Sequence, residues 1–302
     1  MYQLPSPFDG IGITYMHYFA KKENFSKLDI PLNKSAGRFS SRARERLSTV
    51  LQTAKELVSI EDAVKALGVD RQTAAKTLAR WQQQGWLKRV GPGLYAPVPV
   101  DAMTSEQVLK DPWVLVPALY APGYIGGWTA AEHWDFTEQL FRSIFVFTAQ
   151  PFRKKEQSVQ GVSFVLKRIP KDKIFGTKSI WRGQARVQIA DKHRTIVDLL
   201  ADPESGGGIR HVESCLWHYF KDSEADTNIL IQYAEKLGNG AVFKRLGFLL
   251  SQKPGNETWI DLCGQRLTQG NAKLDPALPS QRLVKAWRLW IPKTWTVGRG
   301  DD

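Results

Sequence analysis

Between residues 43 and 98 the apolar positions recur at helical spacing in successive runs and then change to a strand-like alternation. The first run, Leu47, Val50, Leu51 and Ala54, stands at i, i+3, i+4 and i+7, which puts one stripe on a core. Leu57 and Val58 follow as a short strand. Ser59, three residues before Asp62, is spaced to open a second helix as a capping pair, with Ile60, Ala63, Val64 and Leu67 as its stripe. Gly68 ends that helix. Asp70 is placed to cap a third one, running to about Gly85, by accepting hydrogen bonds from its first free amides. Helix, three-residue turn, helix is the spacing of a helix-turn-helix. From Trp86 to Ala96 two short strand patterns flank Gly91-Pro92-Gly93, which predicts a hairpin serving as a wing.

Projected at 100° per residue, the third helix carries Ala74, Leu78 and Trp81 on one side. Gln72, Lys76, Arg80 and Gln83 fall on the opposite side, with Thr73 at the edge. A helix-turn-helix sets the start of its second helix against base edges while basic residues hold phosphates. Arg71, Gln72 and Thr73 suit the first role, with Lys76 in reach, because arginine pairs bidentately with guanine and glutamine with adenine. Arg80, Lys88 and Arg89 suit the phosphate role. No acidic residue occurs between Arg71 and Arg89. A protein-interaction module with a merely solvated charged face is the alternative for the same segment.

Charge points the same way. The chain of 302 residues has 42 Lys plus Arg against 30 Asp plus Glu, a net charge of +12, and a pI near 9.6. Residues 1–100 hold 15 basic and 8 acidic side chains, so the excess is concentrated around the helix-turn-helix. Part of it is Arg38, Arg42, Arg44 and Arg46, a basic arm for the DNA backbone or a solvated lead-in. The two cysteines, Cys215 and Cys263, have no metal-ligand or CxxC spacing and read as buried thiols of a reduced cytoplasm. No apolar run approaches the ~20 residues of a membrane span, and no signal peptide is evident. A soluble, cytoplasmic protein is expected.

The length suits about two domains at roughly 150 residues each. The division expected is an unassigned extension at 1–40, the winged helix-turn-helix at 41–98, and a larger α+β domain at 99–302, entered through a linker at Pro97-Val98-Pro99. In that domain helices are expected at about 104–110 and 112–121, and a third capped by Thr129 and ending near Trp134. Ser143–Ala149, Val162–Ile169 and Gln184–Ile189 read as antiparallel strands. Helical stripes then return: Ile196, Val197 and Leu200; Val212, Cys215, Leu216 and Tyr219; Ile229–Leu237; and Ala241–Leu250. The last fifty residues are punctuated by Pro and Gly, with an amphipathic piece at Leu283–Trp290. The fold class expected is α+β, strands first and helices after.

Enzymatic chemistry has few candidates. His211 and His218 lie two turns apart, whereas zinc proteases use i and i+4 with a glutamate between. Gly206-Gly207-Gly208 before a helix suits an anion-binding loop or a helix start needing positive φ, and no Gly-Lys-Ser/Thr follows it. Asp191 and Asp198 share a helix face as a metal carboxylate pair, or as a cap and a packing residue. Lys167, Arg168, Lys171 and Lys173 suit either an anionic partner or solvent. No catalytic residue, metal or cofactor is assigned.

The ordered set of winged helix, Gly126-Gly-Trp-Thr-Ala-Ala131, strand block, Ile189-Ala-Asp191, Thr195-Ile-Val-Asp198-Leu-Leu200 and Gly207-Gly208-Ile209 resembles the AbiEi-type antitoxins of bacterial abortive-infection systems, over about 43–250. Where that pattern has an acidic residue, this chain has Lys192-His193-Arg194. The resemblance implies a non-enzymatic autorepressor that binds double-stranded DNA at an inverted repeat upstream of its own operon. It also implies that the larger domain counteracts a co-encoded nucleotidyltransferase toxin in phage defence, through contacts that stay open. With no heptad repeat to dimerise through, a monomer that pairs on DNA is expected. A winged-helix-targeted nuclease and a ligand-responsive transcription factor are the other readings.

Overall fold

The computed structural model describes residues 41–54, 56–98 and 111–295, all within one compact unit of chain, Ser41–Asp302. The extension at 1–40, including Arg38, and the helix expected at 104–110 lie outside the described residues. Local signals set the first part. The helix α1 (Ser41–Thr53) buries Val50, and β1 (Val58–Ser59) leads directly into α2 (Ile60–Leu67). Ser59 and Asp62 exchange bonds as a capping box: the Asp62 amide donates to Ser59 Oγ at 3.1 Å and the Ser59 amide to Asp62 Oδ2 at 2.9 Å. Gly68, at φ 63°, ends α2 in the left-handed conformation that a side chain disfavours.

The third helix, α3 (Arg71–Gln83), is followed by the strands β2 (Leu87–Gly91) and β3 (Leu94–Pro97). These pair antiparallel and β1 adds to β3, giving the order β1-β3-β2. Val50, Val58, Ala63, Ala74, Leu78, Trp81, Leu87 and Tyr95 form a core between the three helices and this small sheet.

The hairpin's other face belongs elsewhere. Leu57, Val90 and Ala96 are buried together with Leu115, Val116 and Tyr120. A 3-10 turn at Pro112–Val114 runs into the helix α4 (Leu115–Tyr120), the strand β4 (Gly123–Ile125) and the helix α5 (Gly127–His133). The strands β5 (Ser143–Thr148), β6 (Glu156–Val159), β7 (Val162–Arg168), β8 (Thr177–Arg182) and β9 (Ala185–Ala190) complete a six-stranded sheet of order β6-β7-β5-β4-β9-β8. The expected antiparallel block is corrected to a mixed sheet, because β5 lies parallel to β7 and β4 parallel to β9. Alternation specifies which face a residue takes and not which strand lies beside it. Thr129 does not cap α5, whose N-cap is Gly126; its hydroxyl instead accepts from the Phe145 amide at 2.9 Å, tying the helix to β5.

The helices α6 (Lys192–Ala201), α7 (Ile209–Lys221), α8 (Thr227–Leu237), α9 (Ala241–Leu250) and α10 (Glu257–Gly264) enclose a third core with the C-terminal strands. Those strands are β10 (Ala272–Lys273), β11 (Arg282–Val284) and β12 (Leu289–Ile291), in the order β10-β12-β11. The amphipathic piece expected at Leu283–Trp290 is two strands around a 3-10 turn at Lys285–Trp287. Trp287 packs over Gly247 of α9, where a Cβ would overlap its ring.

Buried polar groups staple these layers. Arg194, with no exposed side-chain surface, donates from Nε to Asp198 Oδ1 at 2.9 Å. Its other arm donates to the Tyr124 hydroxyl, which in turn donates to Asp198 Oδ2, both at 2.9 Å. Burial, followed by the Asp198 charge, pushes the Tyr124 phenol well above its ordinary range. Arg245 closes the end of α6 by donating to the Leu200 and Ala201 carbonyls at 2.7 and 3.0 Å, and reaches the Lys273 and Leu274 carbonyls on its other side. Burial lowers its pKa to about 10.

Candidate nucleic-acid interface

The surface expected to read DNA is built by the start of α3. Asp70 Oδ1 accepts from the amides of Gln72 and Thr73 at 2.9 and 3.0 Å, and Oδ2 accepts from the Thr73 hydroxyl at 2.5 Å. The Thr73 hydroxyl bond, then the backbone bonds, holds the Asp70 carboxyl below its usual range. Ala74, Thr77, Leu78 and Trp81 anchor the inner face, and Trp81 stacks on Trp86 at 6.3 Å. Arg71, Gln72, Thr73, Lys76 and Arg80 are left exposed along the outer face.

Two of these side chains have work within the fold. Thr73 spends its hydroxyl proton on the cap, which leaves its methyl for an outside contact. Arg71 donates to Glu61 in the first turn of α2; both side chains are exposed, at 69% and 58%. The Arg71 bond holds the Glu61 carboxyl below its usual range. An exposed pair of this kind gives up little when it exchanges for another anion. Spacing along α3 carries no signal for Glu61, which is ten residues away on another helix.

Lys88 and Arg89 face opposite sides of the hairpin. Neighbouring strand residues face opposite sides of a sheet. Arg89 lies opposite Tyr95, on the side of the helical core, and Lys88 opposite Ala96, on the side of the larger sheet. Arg42, Arg44 and Arg46 lie within α1, on a helix surface, and Arg46 is half-buried.

The hairpin is fastened to the rest of the chain at several points. Gln160, in the turn between β6 and β7, donates to the Arg89 carbonyl at 2.8 Å. A Cβ on Gly91 would come within 2.8 Å of the Leu119 side chain. Beside β1, Glu56 accepts from the Gln184 amide at 2.8 Å at the tip of the β8–β9 hairpin. These partners lie 71 and 128 residues apart for the two hydrogen bonds, too far for any local pattern to announce them.

The other candidate residues separate cleanly. Asp191 caps α6, accepting from the Arg194 amide at 2.7 Å, and takes the Tyr233 hydroxyl at 3.0 Å. Asp198 belongs to the buried Arg194 network, so the carboxylate pair is a cap and a packing residue. Gly207 and Gly208 adopt φ of 76° and 107° before α7. The first free amide of α7, that of Ile209, donates to Asp275 at 2.9 Å, so the chain supplies its own anion there. His211 meets the Gly206 carbonyl and the Thr137 hydroxyl, while His218 meets the Ser214 carbonyl one turn back. Cys215 and Cys263 are buried free thiols, both pushed up to about 12 by burial. Among the described residues no group of His, Cys, Asp and Glu is placed to hold a metal, and no helix is long and apolar enough to cross a membrane.

A solved structure from Mycobacterium tuberculosis, of the RV2827C protein, superposes with a TM-score of 0.55 over 85% of this chain and 93% of that one, at 16% identity. That likeness is one of fold. No curated protein matches the sequence. Residues 45–98, from α1 through the end of the hairpin, match the family model described as transcriptional regulator, AbiEi antitoxin. Over this segment the chain is similar to the AbiEi-type antitoxin regulators.

Proposed function

We propose that the segment 41–98 acts as a winged helix that binds double-stranded DNA at an inverted repeat upstream of its own operon and represses it. One observation carries this reading: the outer face of α3, within the segment that matches a transcriptional-regulator family, is cationic and free of acidic residues from Arg71 to Arg89. Arg71, Gln72 and Lys76 supply base-edge contacts, and Arg80 and Arg89 supply phosphate contacts, with Lys88 and the α1 arginines Arg42, Arg44 and Arg46 at the margins. One winged helix reads one half-site, so an inverted repeat takes two copies, monomers in solution that pair on DNA. The larger α+β body counteracts a co-encoded nucleotidyltransferase toxin in the cytoplasm as part of phage defence. Its role is non-enzymatic, which fits the commitment of Asp191 and Asp198 to a cap and a buried ion pair.

A gel-shift titration on the upstream DNA and on a scrambled fragment, at two salt concentrations, tests the first half. Arg71→Ala with Lys76→Ala is expected to weaken operator binding by roughly tenfold or more and to reduce the salt dependence. Equal binding of both fragments, or an unchanged titration in the variant, overturns it. The second half is read in cells carrying the neighbouring gene: the same variant loses repression and keeps protection. Loss of both in a folded variant overturns the two-part assignment.

A further inference from the structure

Where three central strands meet, the surface opens into a cleft of roughly 780 Å³ walled by Pro122, Pro151, Ile169 and Pro170, with Arg168 and Lys171 as its charged residues. Its base is fixed by the sheet. Gly123 at the start of β4 pairs with Thr148 at the end of β5, and Thr148 pairs with Arg168 at the end of the parallel β7. The Ala149 amide donates to the Pro122 carbonyl at 2.9 Å, the Ile169 amide to the Thr148 carbonyl at 3.0 Å, and the Gln150 side chain to the Ala121 carbonyl. Three proline walls have fixed φ and no N–H to solvate, so they present stiff apolar surface.

The charge in this region is uneven and the tertiary structure sorts it. Residues 142–186 contain 11 basic and 2 acidic side chains. Lys155, Lys167, Lys178 and Arg182 pair with Glu204, Asp202, Glu224 and Asp111, and Lys173 donates to the Lys236 carbonyl at 2.8 Å. Arg142, Arg153, Lys154, Arg168, Lys171 and Arg186 are exposed and have no carboxylate partner among the described residues, and of these six Arg168 and Lys171 line the cleft. Lys167 and Lys173, their sequence neighbours, are the ones spent on the fold.

The structure assigns this cleft to a nucleoside phosphate, either free or at the end of a nucleic-acid strand. A guanidinium and an ammonium lining one cleft take phosphate oxygens through charge-assisted hydrogen bonds. Proline rings and Ile169 offer apolar surface to a base beside the two cations. The site is separate from α3, so its test stands or falls apart from that of operator binding.

Isothermal titration of the full chain uses ATP, GTP, CTP and UTP, pyrophosphate, and a 5′-phosphorylated single-stranded hexanucleotide. A nucleotide or the hexanucleotide is expected to bind with a Kd of about 1 mM or tighter. Arg168→Ala with Lys171→Ala is expected to weaken it by about tenfold, and Arg153→Ala with Lys154→Ala by less than about twofold. Tighter binding of the free nucleotide identifies that source, and tighter binding of the hexanucleotide identifies a strand end. The Arg168→Gln and Lys171→Gln pair keeps side-chain length should the alanine pair melt early. Ligand-dependent hydrogen-exchange protection of Gln150 and Ile169 reads the site in the unaltered protein. Absence of binding by every probe, pyrophosphate binding as tightly as nucleotides, or equal losses in the Arg153 and Lys154 control overturns the assignment.

Discussion

Arg71 shows how a single side chain is shared between fold and function. Its position at the start of α3 follows from the Asp70 cap, which local sequence dictates. Its partner, Glu61, comes from the tertiary approach of α2. Glu61 is an internal competitor for any phosphate or base that Arg71 meets, and it adds a negative charge beside the proposed DNA path. Glu61→Gln is therefore expected to tighten operator binding by about two- to fivefold at low salt, the size of an exposed ion pair, with the gain fading as salt rises. Gel shifts of the variant at 50 and 300 mM salt check this, and weaker binding at low salt would reverse the role given to Glu61. Asp198 is the opposite case. In the run Ile196 to Leu200 it is the polar interruption of an apolar stripe, and only the fold reveals Arg194 and Tyr124 around it.

At the scale of elements, capping and glycine signals were legible and edge strands were not. The Ser59–Asp62 box, the left-handed Gly68 and the Asp70 cap each depend on residues within four positions, so spacing alone locates them. β6, of sequence Glu-Gln-Ser-Val, and β8, with Trp181 exposed at 67%, lie at the two edges of the sheet. They lack the apolar run that marks a strand buried on both faces. Tertiary packing also reverses a propensity rule in α9. Helix propensity favours Gly247→Ala by roughly 1 kcal/mol, yet the new methyl would overlap Trp287. The expected outcome is a loss of about 1–3 kcal/mol through overpacking. Gly264→Ala in α10, where a Cβ meets nothing within 4 Å, serves as the neutral control. Denaturant titration of both variants decides, and a Gly247→Ala protein as stable as the parent would show that Trp287 moves aside freely.

For the whole molecule, the main departure from the expected picture is that the hairpin is part of two cores. Leu57, Val90 and Ala96 are at most 9% exposed and pack with the larger sheet, not with the three helices. Gln160, Leu119 and the β8–β9 tip hold the same region from outside. From the sequence, residues 41–98 are expected to form a domain of their own. Here the segment's second face is covered by residues from beyond position 110. The excised segment 41–98 is accordingly expected to melt less cooperatively and at lower temperature than the full chain, because it exposes apolar surface that the body covers. Circular dichroism melts compare the two, and a fragment melting at the full chain's midpoint would show that the body contributes nothing to the segment's stability.

Sequence by itself determined the three helices, the turn between α2 and α3, the hairpin, and the cationic outer face of α3, because each rests on spacings shorter than two helical turns or on backbone preferences of Gly, Ser and Asp. It also carried the resemblance to AbiEi-type antitoxins, which the match over 45–98 supports. The tertiary structure alone decided that the strand block is a mixed sheet, that Lys88 and Arg89 face apart, and that Asp198 is neutralised by Arg194. It also decided that, of the basic residues of one segment that have no carboxylate partner, Arg168 and Lys171 are the two that line an apolar cleft. Those outcomes depend on partners from tens to more than a hundred residues away, and hydrogen-bonding or charge pairing across such separations is set by the packing of whole elements, which no local pattern encodes.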